Sequence, residues 1–237
     1  MSAAGRIPVK DQFIKTGISG LDQVIQGLRL GDNVVWQVDE LDDYRYFVQP
    51  FVKEAIFSRR KCVYLRFAPH PEVIQPQAGL DTVALDPGTG FDSFSRSVQK
   101  IVEENGPAVF YVFDNLSALV EEWATDELLA NFFKLTCPFL YDMDTIAYFG
   151  LTRGQHSYSA VARIRDTTQV LIDVYRIQGQ MYINPIKVFD RYSPQMFLPH
   201  IISEEGFIPV FQSGKAAAVS TSAKKQPLPA GSTTCAP

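Results

Sequence analysis

Three apolar runs of six residues each, 33–38 (NVVWQV), 62–67 (CVYLRF) and 108–113 (AVFYVF), most constrain how this chain can fold. Each is too short for a buried helix and too continuously apolar for a strand with one wet face. They therefore predict strands covered on both sides, as in a parallel sheet. Between them the apolar residues recur at helical spacing. One such segment covers 44–58, with Pro50 expected to kink or interrupt it, and another runs from Thr89 to about 104 with Phe94, Val98, Ile101 and Val102 on one face. A long helix is expected at about 126–140, with a strand at 145–149 after it. The last third reads as strands at 169–175, 181–188 and 207–210, and a short strand falls at 83–85. Two S/T-x-x-D patterns, Ser19 to Asp22 and Thr89 to Asp92, predict helix starts; the first helix is expected to end at Gly27. Alternation followed by a strand-rich end predicts an α/β sandwich around a mostly parallel sheet, finished by antiparallel strands.

The 237 residues carry 22 basic and 26 acidic side chains, a net charge of −4, which argues against a broad grip on nucleic acid. Cys62, Cys137 and Cys235 are widely separated and odd in number, so no disulfide framework or CxxC metal pair is visible. No apolar run is long enough to span a bilayer and no leader pattern opens the chain, so a soluble cytoplasmic protein is expected. Residues 1–13 read as an arm and 14–211 as one domain. Residues 212–237, rich in Ala, Ser, Thr and Pro, read as a disordered tail or a linker.

Ligands of open α/β sheets lie beyond the carboxyl ends of the strands. The loop after Val38 is Asp39-Glu40-Leu41-Asp42-Asp43. It offers four carboxylates but no glycine, lysine or hydroxyl with which to cradle a phosphate. Each carboxylate near a triphosphate would cost on the order of 1–4 kcal/mol. The same acids can serve the N-terminus of the following helix, at roughly 0.3–1 kcal/mol each, or face a cation or a partner. Strand 108–113 ends in Asp114-Asn115-Leu116-Ser117, where Asp114 either caps the next helix or stands as a magnesium-side carboxylate.

His70, His156 and His200 fall on separate segments without ligand spacing and read as solvated or structural, and no metal site is expected. Arg153, Arg163 and Arg165 flank a loop around His156, where they either pair with local carboxylates or face a polyanionic partner. The aromatics Phe132, Phe133, Phe139 and Tyr141 form a stripe suited to the core or to an interface groove.

Taken in order, these landmarks resemble a known family. Thr16-Gly-Ile-Ser-Gly-Leu-Asp22, Gly27-Leu-Arg-Leu-Gly31 and the strand 33–38 resemble the opening of a KaiC/RecA-type ATPase domain. Residues 113–117 resemble its Walker B strand end, 166–171 its late D-T strand, and 186–193 its KxRGS-like hairpin. The resemblance implies a RecA-like, P-loop NTPase-type three-layer sandwich over about 14–210. It also implies that Lys187 and Arg191 reach toward a neighbouring subunit.

The departures are as informative. The family's phosphate loop falls on residues 39–46, with Arg45 in place of its lysine and Tyr46 in place of its Ser/Thr. Its catalytic glutamate pair falls on Ala68 and Pro69. Together these losses argue for a degenerate pseudo-ATPase that needs no cofactor and acts through a protein partner or self-association. The alternative is an atypical enzyme in which ATP and magnesium meet Arg45 and Asp114. Segments 27–39 and 131–142 are also similar to a domain preceding the catalytic parts of phosphoenolpyruvate synthase-like proteins, which implies an accessory module with such an enzyme as its partner.

Overall fold

In the computed structural model, residues 13–123, 125–203 and 206–211 are described. The elements in chain order are α1 (Ser19–Ile25), β1 (Asn33–Val38), α2 (Leu41–Phe57), β2 (Cys62–Arg66), β3 (Leu80–Ala84), a 3-10 turn (Pro87–Thr89) and α3 (Phe91–Asn105). After these come β4 (Phe110–Asn115), α4 (Ala118–Trp123), α5 (Asp126–Asp142), β5 (Ile146–Thr152), α6 (Tyr158–Thr167), β6 (Val170–Ile177), β7 (Gln180–Val188), β8 (His200–Ser203) and β9 (Gly206–Pro209). All nine strands form one sheet in the order β3-β2-β4-β5-β1-β6-β7-β8-β9. The strands from β3 to β6 pair in parallel, and β7, β8 and β9 continue the sheet antiparallel. The expected α/β class, with a mostly parallel sheet and an antiparallel end, is what the structure has.

Two-residue alternation divides the core. Val34, Trp36 and Val38 of β1 pack with α1 and α2, while Val35 packs with α3, α4 and α5 on the opposite face. On the first face Trp36 stacks on Phe47 at 4.0 Å and Phe51 on Tyr148 at 3.9 Å. Such pairs contribute roughly 0.5–1.5 kcal/mol each beyond their buried area. Phe132 and Phe133 of α5 are fully buried on the other face, so this part of the aromatic stripe belongs to the core.

Several boundaries differ from expectation for local reasons. Ser19 does not cap α1. Thr16 Oγ1 instead accepts from Ile18 N, and Asp22 turns back to accept from Thr16 N at 2.8 Å. Thr89 does not cap α3; its hydroxyl donates to Asp86 O, and Gly90 precedes the helix without a side-chain cap. Pro50 lies inside α2, which continues through it. The loop around His156 is followed by helix α6, which carries Arg163 and Arg165 and is capped by Ser157, whose Oγ accepts from Ala160 N. The tail 212–237 and the arm up to residue 12 lie outside the described residues. Among the described residues no helix is long and apolar enough to cross a membrane.

Candidate functional site

The carboxyl ends of β1, β4, β5 and β6 share one edge of the sheet, where the 39–43 loop, Arg45, Asp114 and Arg153 gather, whereas Arg165, Lys187 and Arg191 lie toward the amino ends of β6 and β1. The acidic loop begins α2 at Leu41, yet no carboxylate side chain caps that helix. Its acids are taken up by arginines instead. Asp39 accepts from Arg153 Nε at 2.8 Å, Asp42 from Arg45 at 2.6 Å, and the buried Asp43 from Arg176 Nε at 2.8 Å. The acids expected to serve the helix N-terminus, or to face a cation or a partner, are thus largely neutralised by arginines of the same chain. Arg45, in the lysine's place, also donates to Pro71 O at 2.9 Å, so its guanidinium is turned to its own chain. Tyr46 is exposed.

Asp114 is completely buried at the end of β4 and gathers four donors. Tyr64 Oη donates to Oδ1. Arg66 at 2.7 Å, Phe67 N at 2.8 Å and Ala68 N at 2.9 Å all donate to Oδ2. A carboxylate has about four acceptor sites, two on each oxygen, so Oδ2 is fully engaged and Oδ1 carries the one bond from Tyr64. Ala68 and Pro69, where the family's glutamates would stand, form a turn wound onto this carboxylate, and the Ala68 and His70 carbonyls accept from Arg66. Burial and the bond to Asp114 push the Tyr64 hydroxyl well above its ordinary pKa. Beside this hub Tyr44 donates to Phe113 O at 3.0 Å, its ring lying against Gly150 of β5.

The basic residues expected at an interface divide in two. Arg153 is largely shielded between Asp39 and Asp173, and lies over the Tyr175 ring. Burial disfavours its charge, but the two carboxylates prevail and hold it protonated. Arg191 is fully buried on Asp32, with contacts at 2.8 and 3.2 Å and a further bond to Gly27 O. Arg191 closes a buried ion pair and Arg153 a largely shielded one, so both guanidinium groups are committed within the chain. Lys187 Nζ donates to the carbonyls of Arg165 and Asp166 at the end of α6. Arg163, bonded to Asn131 and near Glu127, and Arg165 remain partly exposed.

A second constellation had no signal in residue spacing. Ser117 follows β4 in the turn before α4, Asp126 opens α5, and His156 lies between β5 and α6. Ser117 Oγ is 2.6 Å from His156 Nε2, and His156 Nδ1 is 2.8 Å from Asp126 Oδ1. Asp126 Oδ2 accepts from Ser157 N at 2.6 Å, and Ser117 Oγ accepts from Thr152 N at 2.8 Å. Asn115 fastens the turn, donating to Thr152 Oγ1 and accepting from Ser117 N. The one sequence cue is a serine on a strand–turn–helix connection. His156 is buried and bonded at both ring nitrogens.

Compared with family models and with curated proteins, the sequence matches none.

Proposed function

We propose that this chain is a RecA-like domain without nucleotide hydrolysis, which acts as a regulatory or protein-interaction module. The observation that carries the reading is Asp114, which is completely buried and bound by four of the chain's own donors, so that a hydrated magnesium ion could reach it only by displacing them. Support also comes from the strand order. The acidic loop follows central β1, between β5 and β6, and Asp114 ends the second strand away, the relative placement a nucleotide site on such a sheet would use. At those positions Arg45, Arg153 and Arg176 neutralise carboxylates of the same chain rather than point outward together.

An interaction role draws on the antiparallel end of the sheet. Phe189, Tyr192, Phe197, Ile208 and Phe211 are all exposed there, a concentration of apolar side chains that suits a protein contact, including self-association. Calorimetric titration with Mg-ATP tests the first part, and no saturable heat is expected. Micromolar binding that disappears in Asp114→Ala would overturn it. Light scattering across protein concentrations tests self-association, which Phe189→Ser with Tyr192→Ser should weaken.

A further inference from the structure

We propose that Ser117, His156 and Asp126 form a nucleophilic relay that transfers a small acyl group from an ester to water. Proton positions follow from the surrounding donors. Thr152 N–H already points into Ser117 Oγ, so the hydroxyl's own proton is directed to the other close partner, His156 Nε2. Asp126 is acceptor-only when ionised, and therefore Nδ1 carries the imidazole proton. This leaves Nε2 as the basic nitrogen, 2.6 Å from the nucleophilic oxygen, within the distance a general base needs. Burial disfavours the ionised Asp126, but the bonds from Ser157 N and His156 outweigh it and lower the carboxyl pKa, so the carboxylate persists.

Ser117 and His156 are also shielded and fixed, while Asp126 keeps 23% of its side chain exposed. His156 has 1% of its side chain exposed, which strengthens its attraction to Asp126. Ser117 is 5% exposed, which limits the acyl group to a small one such as acetyl. Ser117 is held on a strand–turn–helix connection at the carboxyl edge of the sheet, by Asn115 on one side and Thr152 on the other.

In the reaction Ser117 Oγ bonds to the ester carbonyl carbon while its proton passes to His156 Nε2. The carbon–alkoxy bond then breaks, and the departing alcohol takes that proton. Water attacks the acyl-serine, again giving a proton to Nε2, and Ser117 recovers it as the carboxylic acid leaves. Ser117 and His156 are the catalytic residues, and Asp126 is a positioning residue.

The test treats the full chain with a small fluorophosphonate and with p-nitrophenyl acetate, followed by peptide mapping. Ser117 should become phosphonylated, with loss of fluoride, and p-nitrophenolate should be released. Both rates should fall about 10²–10⁴-fold in His156→Gln, the range for loss of a general base. Asp126→Asn should lower the labelling rate, and Asp126→Glu, which restores a carboxylate to His156 Nδ1, should recover part of it. Absence of label on Ser117 in the native wild-type chain would overturn the proposal, and that arm needs no variant to fold. Equal labelling rates in wild type and in a His156→Gln variant of unchanged circular dichroism would overturn it as well.

Discussion

Arg153, just past the end of β5, donates through Nε to Asp39, just past the end of β1, at 2.8 Å, and the same guanidinium lies 3.3 Å from Asp173 of β6. One side chain thus ties together three adjacent strands. Removing it would strand two carboxylates in a poorly solvated place. Arg153→Ala should lose about 3–5 kcal/mol of unfolding free energy in urea titration, the usual cost of breaking a buried pair from one side. Arg153→Lys should recover only part, since an ammonium cannot present the planar fork that serves both acids.

Asp114 should behave as a structural hub. Asp114→Ala leaves the amides of Phe67 and Ala68 without their acceptor and takes the counter-charge from Arg66, and should also cost about 3–5 kcal/mol. The urea midpoint of the wild type should be the same with and without magnesium. A rise with magnesium that is absent in Asp114→Ala would identify a coordinating carboxylate instead.

Gly150 makes room for Tyr44. A Cβ built there would lie 2.8 Å from the ring, closer than packing allows. Gly150→Ala should therefore destabilise by about 1–3 kcal/mol through overpacking. In a Tyr44→Ala background the same change should cost less, because the added methyl enters vacated space. A double-mutant cycle measures the coupling, and strict additivity would contradict the contact.

His200 of β8 is 1% exposed, and burial outweighs a contribution from the Leu198 backbone to lower its pKa below the ordinary 6.5. The unfolded chain then binds more protons than the native one between the lowered value and 6.5. Its contribution to stability is complete above about 6.5 and is lost as pH falls below it, by at most about 1.4 kcal/mol per pH unit. Urea titrations at pH 7.5 and 5.5 should show a smaller difference for His200→Phe than for wild type.

The thiols of Cys62 and Cys137 should resist iodoacetamide in the native protein. Burial pushes the Cys62 thiol up to about 12 and lifts the Cys137 thiol well above its ordinary value, so neither offers a thiolate at neutral pH. Peptide mapping should find both modified only after denaturant is added. Rapid native labelling of either would show that its side of the core opens readily.

What could be read from the residues alone was whatever lies within one element. The run NVVWQV is β1 to the residue, and Asp126 does begin α5, because apolar periodicity and turn chemistry act over a few positions. Caps were harder even locally. Thr16 serves α1 through Asp22, six residues away, and Ser19 was the nearer but wrong choice.

The edge of the sheet was decided by tertiary structure. Composition could count the carboxylates of the 39–43 loop, but not that Arg153 and Arg176 would arrive to neutralise two of them from more than a hundred residues away. Ser117, Asp126 and His156 likewise meet only because β4 and β5 are neighbours and α5 returns beside them. Pairing of charges and alignment of a proton relay depend on distances of about 3 Å, and a chain sets such distances between remote residues only by folding.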